Sequence, residues 1–219
     1  MTYLKILSSS ALLLVLAALA SGALASSAGA TVLCNVNAGA CPAPNKYPSE
    51  TKFKAVSGAM TLTRTLEGVT LTVECPSSRI RGKTLTAGGG IGTPVEARLE
   101  EVVFMECHLP SGTGCEDVWL AGSESQQTRF ATTAEAPNGT LSVSGSGAAE
   151  PSIGIRCGTE SQCVFKTPSI VFDVTGGEEA TLVAEKEKLN GSGGICGKTL
   201  DWTGTYKFVE PKPLYISAS

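Results

Sequence analysis

Only one histidine occurs in the 219 residues, His108, and no two cysteines have C-x-x-C spacing. Zinc sites ordinarily use such a close pair or a histidine partner, so no metal site is expected, and no cofactor. There is no G-x-S-x-G, and a serine or cysteine nucleophile needs a positioned base. His108 adjoins Cys107 in a loop-like stretch, where a histidine is far more often a surface residue than a catalyst. The residues therefore assign no catalytic group.

Charge is also sparse. Beyond Ala30 there are 16 basic and 20 acidic residues, a net charge of −4, with no basic stripe or cluster along the chain. Nucleic acid and anionic membrane surfaces are poor partners for such a sequence.

Long apolar runs are confined to the start. Lys5 precedes an apolar stretch from Ile6 to Ala20, broken by Ser8, Ser9 and Ser10. Ala23-Leu24-Ala25 and Ala28-Gly29-Ala30 follow. This is the pattern of a secretory signal peptide over residues 1–30, cleaved after Ala25 or Ala30. The run falls short of the roughly 20 apolar residues of a membrane span. The mature chain, 31–219, is expected to be secreted, not membrane-spanning, and to form a single domain. Cys34 lies close behind, but Thr31 and Leu33 occupy the places where lipidation wants a leucine and a small residue. Lipidation is rejected.

Eight cysteines all lie beyond the leader: Cys34, Cys41, Cys75, Cys107, Cys115, Cys157, Cys163 and Cys196. An even number in an exported chain reads as a disulfide framework. Short polar or glycine-rich loops separate Cys34 from Cys41, Cys107 from Cys115 and Cys157 from Cys163. Local spacing thus suggests those three bridges, leaving Cys75 with Cys196.

Hydrophobic periodicity is two wherever it is visible. Val69–Cys75 and Leu200–Phe208 alternate; Ile153, Ile155 and Cys157 share one parity, as do Ile170, Phe172 and Val174. Val95, Ala97, Leu99, Val103, Met105 and Cys107 share another, interrupted at Glu101, which marks a bulge or a strand end. These are half-buried strands. Cys75, Cys107 and Cys157 lie on the apolar parity, so their sulfurs should point inward. Residues 180–189 have enough charge for a helix, but Ala180/Leu182/Ala184 alternate as in a strand, with the charges at a solvated end. Gly88-Gly89-Gly90, Pro110-Ser111-Gly112, Asn138-Gly139, Gly176-Gly177 and Asn190-Gly191 punctuate the pattern. The expected fold is all-β, an antiparallel β-sandwich or barrel stapled by disulfides.

Two GKT triplets, at Gly82 and Gly197, invite a phosphate-loop reading. Ser77 and Ser192 stand where that motif needs glycine, so each triplet reads as a turn followed by a strand. Gly88–Gly92 reads as a hairpin loop. The sequon matches at Asn138 and Asn190 read as turns. A carboxylate pair could be drawn from Glu100, Glu101, Asp117, Asp173, Glu178, Glu179 and Asp201, but spacing pairs none of them. Trp202 and Tyr206 share the apolar face with Leu200 and Phe208 and belong in the core. Trp119 and Tyr215 remain as candidate ligand contacts.

Several segments together, TVLCNVNAGACPAPNKYPSETKF, GTPVEA, FMECHLPSGTGC, CGTESQCVF, VTGGEEATLVAE and CGKTLDWTGTYKFVEPKPLYIS, resemble a family of small exported, β-rich, cysteine-containing bacterial proteins of actinobacterial type and unknown function. The resemblance spans nearly the whole mature chain. It implies secretion and a β-rich fold, and no activity or ligand. The reading that follows is a secreted structural or binding module, not an evident enzyme, with cell-wall or extracellular polysaccharide as the candidate partner. The alternative is an extracellular carbohydrate-active hydrolase using two carboxylates. A third reading is a secreted inhibitor or toxin component presenting the 107–115 loop.

Overall fold

The computed structural model describes residues 30–90, 93–112, 115–121, 126–133, 137–159, 162–191 and 196–218. The expected leader, residues 1–30, lies outside these, apart from Ala30. The strands are β1 (Thr31–Cys34), β2 (Lys52–Ser57), β3 (Met60–Leu66), β4 (Val69–Cys75), β5 (Ser77–Thr84), β6 (Val95–Met105), β7 (Cys115–Ala121), β8 (Gln127–Thr132), β9 (Gly139–Ser144), β10 (Ser152–Cys157), β11 (Cys163–Lys166), β12 (Ser169–Thr175), β13 (Thr181–Gly191), β14 (Thr199–Glu210) and β15 (Tyr215–Ala218). No α-helix occurs among the described residues, and all named strand pairs are antiparallel.

Eight strands close into a barrel in the order β14-β2-β5-β6-β8-β9-β12-β13, with β13 returning to β14. The three longest strands are shared with a second group. β6 pairs with β8 through Val95–Ala97 and with β7 at Val103. β13 pairs with β12 through Thr181–Val183 and with β11 at Asn190 and Gly191. The first half of β14 carries β3 and β4, and its second half pairs with β2. At each such fork a strand of ordinary length would run out, which is why these three are long. The first and last strands pair with each other: β1 lies against β15, almost wholly buried.

The interior is full. Trp202 has no exposed surface and meets Phe104, Phe172 and Tyr206 edge-to-face at centroid distances of 5.5, 5.2 and 6.3 Å. Phe53 and Phe130 make another edge-to-face pair at 5.4 Å. Such aromatic pairs add to what burial alone supplies. The Tyr206 hydroxyl lies 3.1 Å from Ser78 Oγ, which donates to Val103 O at 2.8 Å.

Four disulfides form: Cys34–Cys41, Cys75–Cys107, Cys115–Cys157 and Cys163–Cys196. The first agrees with the local spacing; the other three differ from it. Cys107 and Cys115 are neighbours, since Cys115 N donates to Cys107 O at 2.8 Å, yet their sulfurs serve different partners. Cys115 is instead opposed to Cys157 across β7 and β10, and Cys75 reaches Cys107 beside the Glu74–His108 bridge. The expected loop closed by Cys107 and Cys115 does not exist. As the parity implied, Cys75, Cys107 and Cys157 are buried.

The expected interruption near Glu101 is a bulge at Glu100. Arg81 opposes Glu101, while the next residue of β5, Gly82, opposes Leu99. The extra residue reverses the facing of everything after it. Phe104 is therefore buried while Val103 and Met105 are only half-buried, contrary to the simple parity. Residues 181–191 are a strand, as the alternation favoured. Its charges lie at a mid-strand irregularity between Ala184 and Glu187, not at an end. Gly82 also departs from the turn reading: it is mid-strand, where an added Cβ would lie 2.4 Å from the Phe53 ring. Asn190 too is a strand residue, opposite Thr199.

A candidate anion-binding wall on the barrel

Side chains alternate across a strand, so cations at alternate positions share a face. In β2 these are Lys52 and Lys54; in β5, Arg79, Arg81 and Lys83; in β6, Arg98. The intervening residues Phe53, Ala55, Ile80, Gly82, Ala97 and Leu99 are all buried. That fixes the cations on the outside.

Register then places them in rows. Lys52 opposes Lys83, which opposes Arg98. One step along, Lys54 opposes Arg81, which opposes Glu101. A further step gives Val56, Arg79 and Val103. Neighbouring strands lie about 4.8 Å apart and successive rows about 6.8 Å. Six cations thus share one three-stranded wall of a chain whose net charge is −3.

Acidic residues temper this wall. Arg79 Nη2 lies 3.2 Å from Glu101 Oε1 and Arg81 Nε 2.6 Å from Glu101 Oε2, and Lys83 pairs with Glu50. Glu96 is tied to Arg129 of β8 at 3.0 Å, Glu210 stands opposite Lys54, and Glu100 is exposed at the bulge. Among the described residues Lys52, Lys54 and Arg98 make no ion pair. The first row is the unusual feature. Like charges placed directly opposite each other in a ladder destabilise the sheet, and here three cations follow in succession.

The expectation of no basic cluster holds along the chain and fails on the folded surface. The contributing segments are 52–54, 79–83 and 98, and only strand pairing joins them. The signal available was the shared parity of the cations within each segment.

The other candidates are placed as follows. Tyr215 is buried at 8% exposure opposite Cys34, with its hydroxyl 3.4 Å from Glu178 Oε1. The Trp119 backbone pairs with Gly154 and Val103, while its side chain lies outside the described residues, as does that of Asp117. Trp202 and Tyr206 are core residues, as expected. The Nδ1 of His108 lies 3.1 Å from the Glu106 carbonyl, and its backbone bridges to Glu74.

Of the acidic residues, Asp173 and Glu187 are close enough to interact. Glu101 serves the arginines, and Glu179 lies 3.9 Å from Lys207 and 3.5 Å from Lys212. Glu187 accepts Val171 N–H at 3.1 Å where β12 and β13 part. Burial raises its pKa, the Val171 hydrogen bond lowers it, and the charge of Asp173 raises it further. A shallow recess over Thr86–Gly88, Gly90, Thr93, Pro94 and Glu96 contains no other charged group. No cluster of three or more metal-ligating side chains occurs among the described residues. None of their helices is long and apolar enough to cross a membrane.

No family model matches this chain, and neither a curated protein nor a solved structure matches it.

Proposed function

We propose that the protein is a secreted, disulfide-stapled β-barrel module that binds an acidic extracellular polysaccharide through the β2–β5–β6 wall. The leader, the four bridges and the resemblance to small exported actinobacterial proteins support secretion. The observation that carries the ligand class is the Lys52–Lys83–Arg98 row, a like-charge alignment that costs the fold stability and attracts a polyanion. Described aromatic rings are absent from this wall. Uronate carboxylates suit it: Arg81 can meet one bidentately, and lysines meet others as point charges.

The test is a titration with polygalacturonate, a neutral glucan and duplex DNA at several salt concentrations. Binding to polygalacturonate that weakens steadily with salt is expected, with the neutral glucan inert. The variant carrying Lys52→Gln, Lys83→Gln and Arg98→Gln should bind about tenfold or more weaker, at roughly 0.5 kcal/mol or more per lost contact. Equal binding by that variant, or a preference for the neutral glucan, removes the proposal. Tighter binding to DNA reassigns the wall to phosphodiesters.

A further inference from the structure

Glu101 is the one acid at the centre of the wall, and a structural irregularity puts it there. Ahead of the bulge the inward residues of β6 are Val95, Ala97 and Leu99; after it Phe104 is buried. Without the extra residue at Glu100, position 101 would continue the inward parity and face the core. The bulge turns Glu101 outward, directly opposite Arg81. Bulges commonly re-aim a side chain in this way.

Once outside, the carboxylate accepts two hydrogen bonds from Arg79 and forms an ion pair with Arg81 at Nε. Arg79 donates from Nε to Oε2 at 3.3 Å and from Nη2 to Oε1 at 3.2 Å. Arg81 Nε lies 2.6 Å from Oε2. A guanidinium has five N–H donors. Arg81, whose side chain is 49% exposed, keeps its terminal pair of nitrogens for an outside partner. That end-on pair is the edge that fits a carboxylate bidentately. Resting on the binding reading above, we infer that Glu101 is a positioning residue: anchored by Arg79, it holds Arg81 beside it with the Arg81 terminal N–H groups directed outward at an incoming uronate.

The inference makes a prediction opposite to that of simple attraction. Glu101→Gln removes a negative charge from the middle of a basic wall, so attraction alone tightens polyanion binding. A positioning role loosens it, because a long side chain must then be immobilised on binding; about fivefold is the expected scale. Polygalacturonate affinity is measured at fixed salt for wild type, Glu101→Gln, Arg81→Lys and the double variant. Arg81→Lys retains the charge and loses the planar fork. It should weaken binding about as much as Glu101→Gln, and the double variant should add less than about twofold, since contacting groups are not additive. Unchanged or tighter binding by Glu101→Gln overturns the inference. Should Glu101→Gln fail to fold, undiminished binding by Arg81→Lys overturns it instead. Loss of binding in the Lys52, Lys83, Arg98 variant, together with tighter binding by Glu101→Gln, leaves the wall standing and Glu101 without this role. Wild-type affinity in all variants removes both.

Discussion

Lys52 and Lys83 are directly opposed across β2 and β5, two cations held a strand spacing apart. Glu50 pairs with Lys83 and leaves Lys52 uncompensated. A sheet selected for stability alone would alternate sign at such a place. Lys52→Glu should therefore stabilise the fold by roughly 0.2–1 kcal/mol and weaken polyuronate binding at the same time. Denaturant unfolding and ligand titration on the same preparation check both. A variant that loses stability contradicts the account of this row.

Glu187 makes stability depend on mild acid. Its folded pKa is raised by burial and by Asp173, against the opposing hydrogen bond from Val171. In the window between the ordinary carboxylate value and the raised one, the folded state holds more protons than the unfolded state. Stability therefore falls as pH rises through that window. Glu187→Gln keeps an acceptor for Val171 N–H and removes the titration. Its stability should exceed that of the parent at neutral pH, with the difference closing in acid. Unfolding midpoints over a pH series measure this.

Tyr206 gives the corresponding effect in alkali. Burial pushes its pKa up to about 12, and the protonated hydroxyl donates to Ser78 Oγ. The folded state keeps this proton after the unfolded state has lost it. Stability should decline from about pH 10 until the folded value is passed. Ultraviolet difference titration should show Tyr206 ionising last of the tyrosines, and Tyr206→Phe should flatten this part of the stability profile.

The bridges should rank by the loop they close. Cys115–Cys157 spans 42 residues of sequence and Cys34–Cys41 spans 7. Chain entropy assigns about 4 kcal/mol to the first and about 2 to the second. Paired Cys→Ala variants, Cys115 with Cys157 and Cys34 with Cys41, should follow that order in denaturant unfolding.

The β3–β4 hairpin has a correctable turn. Glu67 and Gly68 join Leu66 to Val69 with φ of 48° and 83°. Two successive positive values are those of a type I′ turn, which favours asparagine followed by glycine. Glu67→Asn should raise stability by about 0.5–1 kcal/mol, the scale of relieving a left-handed residue. Thermal unfolding reads this directly.

Much of the architecture was legible because alternation reports facing. The run 69–75, the long strand containing Trp202 and Tyr206, and the inward facing of Cys75 and Cys157 all follow from it. Pairing was not legible. Cys115 meets Cys157 because β7 lies beside β10, a neighbourhood set by the forks in β6 and β13 and invisible to local spacing. The facing of Val103 and Met105 was misread because one inserted residue, Glu100, shifts the period. The wall was legible only in pieces: Arg79, Arg81 and Lys83 share a parity, as do Lys52 and Lys54. Nothing local places β2 and β6 on either side of β5.

The most direct test of the central claim is an amide chemical-shift map of the labelled protein titrated with a short polygalacturonate oligomer. The account predicts saturable shifts centred on Lys52, Lys54, Arg81, Lys83 and Arg98, fading as salt is added. Shifts confined to the threonine-rich outer face of β3 and β4, or none at any oligomer concentration, would contradict it.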